Sequence, residues 1–165
     1  MLEIQSDDPK DMHPDDVQRF LAAGLPGRPP CSRTLGLDVI SIDLDAGTSH
    51  VRYEAKPDFC NPAGVIQGGF TAAMLDDAIG MLTTLKLAGK AIPSTIELGL
   101  QYLRPVKPGT VEVRAQILSI GRTMIFAEAE LYDPRGKKAV LARSSLTIIK
   151  PPASNQPAGS DTPET

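Results

Sequence analysis

A chain of 165 residues suits one domain of ordinary size with short extensions. Its 41% hydrophobic and 22% charged residues sit close to globular averages, which excludes wholesale disorder, and no charge-free apolar run of about 18 residues is present to cross a membrane. The formal charge of −3 hides an asymmetry: residues 1–16 hold six acids against one lysine and residues 151–165 two acids and no base, leaving a body of 12 acids and 16 bases that lacks the clustered cations and stacking aromatics of a nucleic-acid binder but could accept a small phosphorylated ligand.

The N-terminus, MLEIQSDDPKDMHPDD, is acidic where a secretory signal would be basic and then apolar, so the chain reads as cytoplasmic. Residues 14–23 (PDDVQRFLAA) place Asp15 and Asp16 in a first turn, Val17, Phe20 and Leu21 at helical spacing, and Gly24 as a stop. They predict a short lead-in helix within an extension over 1–30, with the domain proper over 31–150. Residues 35–55 alternate apolar and acidic positions before an Ala-Gly turn, which predicts two antiparallel strands. Residues 69–88 carry no proline and, apart from Asp76, Asp77 and three threonines, are apolar or glycine up to Leu85. A helix apolar almost all round has to be enclosed. Four β-rich segments follow, 94–104, 110–120, 123–132 and 138–149, joined by turn chemistry at 105–109, 121–122 and 133–136. Residues 151–165, with four prolines and no Leu, Ile, Val, Phe or Tyr, predict a disordered tail. No βαβ alternation appears, so the order predicts an α+β domain: a single curved antiparallel sheet wrapped around one long buried helix.

The segment from Asp58 to Asp77, DFCNPAGVIQGGFTAAMLDD, holds the candidate chemistry. Asn61-Pro62, Gly64 and Gly68-Gly69 form a loop opening onto the helix, where N–H groups without intrahelical acceptors favour an oxyanion or a phosphate. Glycines before a helix are also ordinary turn residues, and a GG pair alone says little. Two turns on, Asp76 and Asp77 are ionisable groups on a helix that otherwise avoids charge, and burying an unpartnered carboxylate is costly. A solvated stripe would spread acids over several turns. Asp76 shares its face with Gly69, Ala72, Ala73, Gly80 and Thr83, all small, and is favoured over Asp77, whose face carries Phe70, Met74 and Met81. Cys31 and Cys60 make neither a disulfide scaffold nor a zinc site, and His13 and His50 are too few for a metal cluster. His50 reads as a surface or interface histidine and Cys60 as structural, since no histidine follows it locally.

These residues resemble the hotdog-fold acyl-CoA thioesterases of the PaaI-like, 4-hydroxybenzoyl-CoA thioesterase superfamily. The pattern Asn-x-x-Gly-x-x-His-Gly-Gly, with Asp eight residues after the first paired glycine, is similar to Asn61, Gly64, Gln67, Gly68, Gly69 and Asp76. Ser94-Thr95-Ile96-Glu97-Leu98, Gln101-Tyr102-Leu103-Arg104-Pro105, Gly109 and Gly121-Arg122 extend the resemblance, which spans about 35–149. It implies a single hotdog domain, Asp76 as catalytic base or nucleophile, Gly68 as the backbone donor polarising the carbonyl, and Asn61 and Gln67 as orienting side chains. Ser94 or Thr95 would position the water, with Thr95 preferred. Gly69 would line the substrate site, and Arg122 and Arg104 are candidates for CoA phosphates. Gln67 departs from the family's histidine: its amide donates a hydrogen bond but transfers no proton near neutrality. The resemblance further implies an acyl-CoA substrate, no metal or cofactor beyond that CoA, no nucleic-acid or membrane partner, and homodimers or homotetramers with sites shared between subunits. An aromatic or medium-chain acyl group suits it. The alternatives are a non-catalytic acyl-CoA or hydrophobic-ligand binding module on the same fold and, more weakly, an enoyl-CoA hydratase, for which no Asp-His pairing precedes the helix.

Overall fold

The computed structural model describes residues 29–88 and 90–149. The lead-in helix expected at 14–23 and the tail expected at 151–165 lie outside the described residues. In chain order the elements are α1 (Pro30–Leu35), β1 (Asp38–Asp43), β2 (Thr48–Ala55), a 3-10 turn (Pro57–Phe59), α2 (Gly68–Lys86), β3 (Ile92–Tyr102), β4 (Gly109–Ile120), β5 (Met124–Tyr132) and β6 (Lys138–Ile149). The expected strand-strand-helix-four-strand order is present, with α1 added in front. Helix α1 starts at Pro30, astride the expected boundary, and buries Ser32 and Leu35, so it belongs to the domain. Gly36 ends it at φ 72°, where a Cβ would lie 2.9 Å from the Glu54 Cβ. Both the left-handed backbone and the close strand demand glycine there.

All neighbouring strands pair antiparallel in one six-stranded sheet of order β1-β2-β4-β5-β6-β3, and α2 packs against β2, β3, β4, β5 and β6. The crossover through α2 carries the chain from one side of the sheet to its far edge. The inward positions alternate as strand geometry requires: Val111, Val113 and Ala115 on β4, Ile125, Ala127, Ala129 and Leu131 on β5, and Val140, Ala142, Ser144 and Leu146 on β6 are all buried. One row is small across the four inner strands, Ser49, Ala115, Ala129 and Ala142 being successive register partners. Above the sheet, α2 buries Met74, Leu75, Ala78, Ile79, Met81, Leu82 and Leu85.

Enclosure of α2 is incomplete. Gly69, Ala73, Asp76, Gly80 and Thr84, spaced by three or four residues, form a stripe that stays exposed or half-buried. Thr83 is not on it: its hydroxyl is buried and donates to the Ile79 carbonyl at 2.8 Å. Small side chains explain why the stripe passes unnoticed in hydropathy, since glycine and alanine read as apolar whether covered or not.

Strand β3 is the long edge of the sheet, and Ile92 (58% exposed), Ile96 (60%) and Tyr102 (55%) lie along it. Its pairing with β6 slips by one residue between Thr95 and Glu97, so Ile96 is the extra residue of a bulge. The opposite edge, β1, is short, acidic at Asp38 and Asp43, and also bulged, features that discourage pairing.

Candidate active site

Asp76 projects from the open stripe of α2, and the Thr95 hydroxyl of β3 donates to its Oδ1 at 3.0 Å. Its other carboxylate oxygen accepts no hydrogen bond from the described residues. The pair faces a cavity of about 250 Å³ between α1, α2, β3 and β6, whose walls include Pro29, Leu37, Gly80, Met81, Pro93 and Leu146. The bulge puts Thr95 there. Leu98, Leu100 and Tyr102 pair with the inward Ser144, Ala142 and Val140, whereas Thr95 pairs with the inward Leu146. Without the extra Ile96, Thr95 would share parity with Glu97, Gly99 and Gln101 and point away. Ser94, paired with Thr147, lies outside this cavity, so the structure brings Thr95 and not Ser94 to Asp76.

Asp77 has other partners. Its Oδ1 accepts from the Ser32 hydroxyl at 2.7 Å and its Oδ2 from the Tyr53 hydroxyl at 3.0 Å. Burial pushes its carboxyl above the usual range against the pull of those two hydrogen bonds, and the Asp76 charge adds to the rise. Burial, and then Asp77 itself, holds the Tyr53 hydroxyl well above its ordinary value, so it stays a donor. Asp77 therefore ties α1 and β2 to the helix. Sequence reading passed over Ser32 and Tyr53; the one available signal was that a carboxylate on an apolar helix face needs donors.

At the other end of α2, the Asn61 side-chain oxygen accepts from the N–H groups of Ala63 (3.0 Å) and Val65 (3.4 Å), and Gly64 turns at φ 68°. Asn61 thus shapes the loop that delivers Gln67 to the helix start. Gln67 is exposed and makes no capping bond through its side chain. Gly68 and Gly69 occupy the first helical positions, where N–H groups lack an intrahelical acceptor. The Tyr102 hydroxyl donates to the Gly68 carbonyl at 3.0 Å, and a Cβ on Gly68 would lie 3.1 Å from that ring. Tyr102 sits inside the motif that carries the resemblance but drew no role from sequence. Gln67, Gly68, Gly69, Tyr102 and Arg104 line a second, open cavity of about 570 Å³. Arg122, in the β4–β5 turn, is exposed and lines neither cavity, although Thr123 beside it accepts from Ile148 at the sheet end that carries Pro93 and Thr95. His50 pairs with Glu112 at 2.8 Å on the outer sheet face, away from both cavities.

Eight helical residues separate Gly68 from Asp76, about 12 Å along the axis at 1.5 Å per residue. That spacing is long for one chain's Gly68 N–H and Asp76 to meet at the same carbonyl. The expected residues fall into two groups at opposite ends of edge strand β3, Asp76 with Thr95 and Gly68 with Gln67 and Gly69, while Asn61 lines neither cavity and braces the loop before the helix.

A curved antiparallel sheet around one helix, with a glycine pair opening that helix and an acid two turns in, defines the hotdog class of thioesterase. The thioesterase superfamily profile matches residues 63–140. A candidate esterase of Caenorhabditis elegans is 33% identical over 122 residues, 73% of this chain and 69% of that protein, and the proofreading thioesterase EntH of Klebsiella pneumoniae is 28% identical over 116 residues, covering 68% and 82%. Among solved structures, a candidate thioesterase of Ralstonia eutropha described as phenylacetic acid degradation-related superposes with a TM-score of 0.74 at 36% identity, over 79% of this chain and 98% of that one. The E. coli PaaI protein shares the fold, with a TM-score of 0.71 at 20% identity over 83% and 96% of the two chains. This chain belongs to the thioesterase superfamily.

Proposed function

We propose that the chain hydrolyses an acyl-CoA thioester to the free acid and CoA, with each site assembled from two copies. The observation that carries this reading is the Asp76–Thr95 pair, a hydrogen-bonded carboxylate and hydroxyl facing a largely apolar cavity on the open face of a buried helix. In the proposed reaction the Thr95 oxygen, its proton committed to Asp76, accepts a hydrogen bond from water. The free oxygen of Asp76 takes the proton as the water oxygen bonds to the thioester carbon. The oxyanion forms against the Gly68 N–H at the helix start, aided by the Gln67 amide, and its collapse breaks the C–S bond. A thiolate leaves readily, so a glutamine where the resembled pattern has histidine is compatible with turnover. Attack by Asp76 itself, through an anhydride, uses the same residues.

The position of the two halves supports the two-copy assembly. Pairing β3 antiparallel with β3 of a second copy sets the Pro93–Thr95 end of one beside the Tyr102–Leu103 end of the other, and so one Asp76 beside the other's Gly68. The same pairing covers the apolar edge. Arg104 and Arg122 are the candidate cations for the CoA phosphates. Two free thiols, Cys31 and Cys60, suit a reducing cytoplasm, and no helix among the described residues is long and apolar enough to cross a membrane.

The test is thiol release from a panel of acyl-CoAs by Asp76→Asn. Turnover should fall by about two to four orders of magnitude, as for a lost general base. Normal hydrolysis by that variant overturns the assignment, and a wild-type chain that binds acyl-CoA without turnover would be a binding module instead.

A further inference from the structure

Gly80 lies one turn beyond Asp76, in the middle of the 19-residue α2. Glycine weakens a helix interior, so its presence there calls for a reason. A left-handed backbone is one such reason, and Gly80 is not among the residues at positive φ. A close neighbour is another, and among the described residues a Cβ built on Gly80 meets nothing within 4 Å. Gly36 and Gly68, by contrast, each face an atom at 3.1 Å or less. What Gly80 does border is the 250 Å³ cavity of the Asp76–Thr95 pair, between the apolar side chains of Met81, Pro93 and Leu146.

We infer that Gly80 is a specificity-determining residue, its bare backbone forming the floor of the acyl cavity and setting the largest acyl group that fits beside Asp76. This rests on the thioester-hydrolase reading above. The scale suits such a role: an apolar cavity of about 150 Å³ accepts benzene, so about 250 Å³ takes one ring and its linker. One added methyl then removes space that a ring needs and an acetyl group does not. A one-carbon misfit in an apolar pocket shifts discrimination by about 10- to 200-fold.

The experiment compares the full chain with Gly80→Ala and Gly80→Val across acetyl-, butyryl-, hexanoyl- and phenylacetyl-CoA, with an enzyme blank for the exposed Cys31 thiol. In Gly80→Ala the ratio of kcat/KM for phenylacetyl-CoA to that for acetyl-CoA should fall at least about tenfold, and further in Gly80→Val. The Tm of Gly80→Ala should rise by about 2 to 4 °C, because alanine is the better helix former. An unchanged ratio overturns the inference. So does a lower Tm or a change of oligomeric state, either of which assigns the glycine to packing. Calorimetry with non-hydrolysable S-alkyl-CoA thioethers of the same sizes separates the two readings. If wild type hydrolyses none of the panel, the thioesterase reading fails alone, and Gly80→Ala must still lose affinity for the ring-bearing thioether; equal affinity across sizes removes the Gly80 role as well.

Discussion

Asp76 and Asp77 are adjacent in sequence and border the same cavity, but the helical turn of about 100° between them gives them different partners. Asp77 swings toward α1 and the core, where Ser32 and Tyr53 hold it, while Asp76 stays on the open stripe with Thr95. Folding raises the Asp77 pKa, burial outweighing its two donors. The native chain therefore binds that proton more tightly than the unfolded chain does. Its contribution to stability is complete below the unfolded carboxylate's pKa and is lost as pH rises through the raised native value. Unfolding of wild type and Asp77→Asn, followed from about pH 3 to about pH 8, should show wild type losing ground to the variant as pH climbs past the ordinary carboxylate range. A difference that stays flat with pH would show that Asp77 titrates alike in both states.

Among the elements, the central sheet carries one buried row of small side chains. Ser49, Ala115, Ala129 and Ala142 form one buried row across four strands, flanked by bulkier rows such as Val113 with Leu131 and Val140. Interiors packed to crystal density have no slack to take up new methylenes. Ala129→Leu should destabilise the fold by about 1–3 kcal/mol, as overpacking does, read from the shift in a urea denaturation midpoint at constant slope. A neutral effect would mean that the packing around Ala129 has more slack than its burial implies. On β3 the bulge at Ile96 does the positioning: it keeps Leu98 and Leu100 inward while turning Thr95 to the same side.

For the whole molecule, the proposed reaction makes the site a property of an assembly, since about 12 Å of helix separates Gly68 from Asp76. If Asn61, Gln67 and Gly68 come from one copy and Asp76 with Thr95 from its partner, Asn61→Ala and Asp76→Ala fall on opposite sides of every site. A heterodimer of the two variants then has one intact site and one with both lesions, as two-fold symmetry requires. Co-expression with two tags and purification of the doubly tagged species should recover about half of wild-type turnover per dimer. Activity no higher than the mean of the parent variants would return the site to a single chain and leave Asp76 free to act there.

Much of this was legible in the chain itself, because alternation and helical spacing are local signals. The strands expected at 110–120, 123–132 and 138–149 appear at 109–120, 124–132 and 138–149, and the helix expected at 69–88 runs over 68–86. The glycine pair at the helix start and the lone acids on an apolar helix were equally local, and they marked Gly68 and Asp76. Helix α1 was missed because six residues opening on a proline carry too little periodicity to register. Strict alternation along 94–104 puts Ser94, not Thr95, on the side of Leu98 and Leu100, and only the slipped pairing of β3 with β6 reverses that. The partners of Asp77, the open stripe on α2 and the empty space beside Gly80 were likewise decided by tertiary structure, since each depends on where strands and helices distant in sequence come to lie.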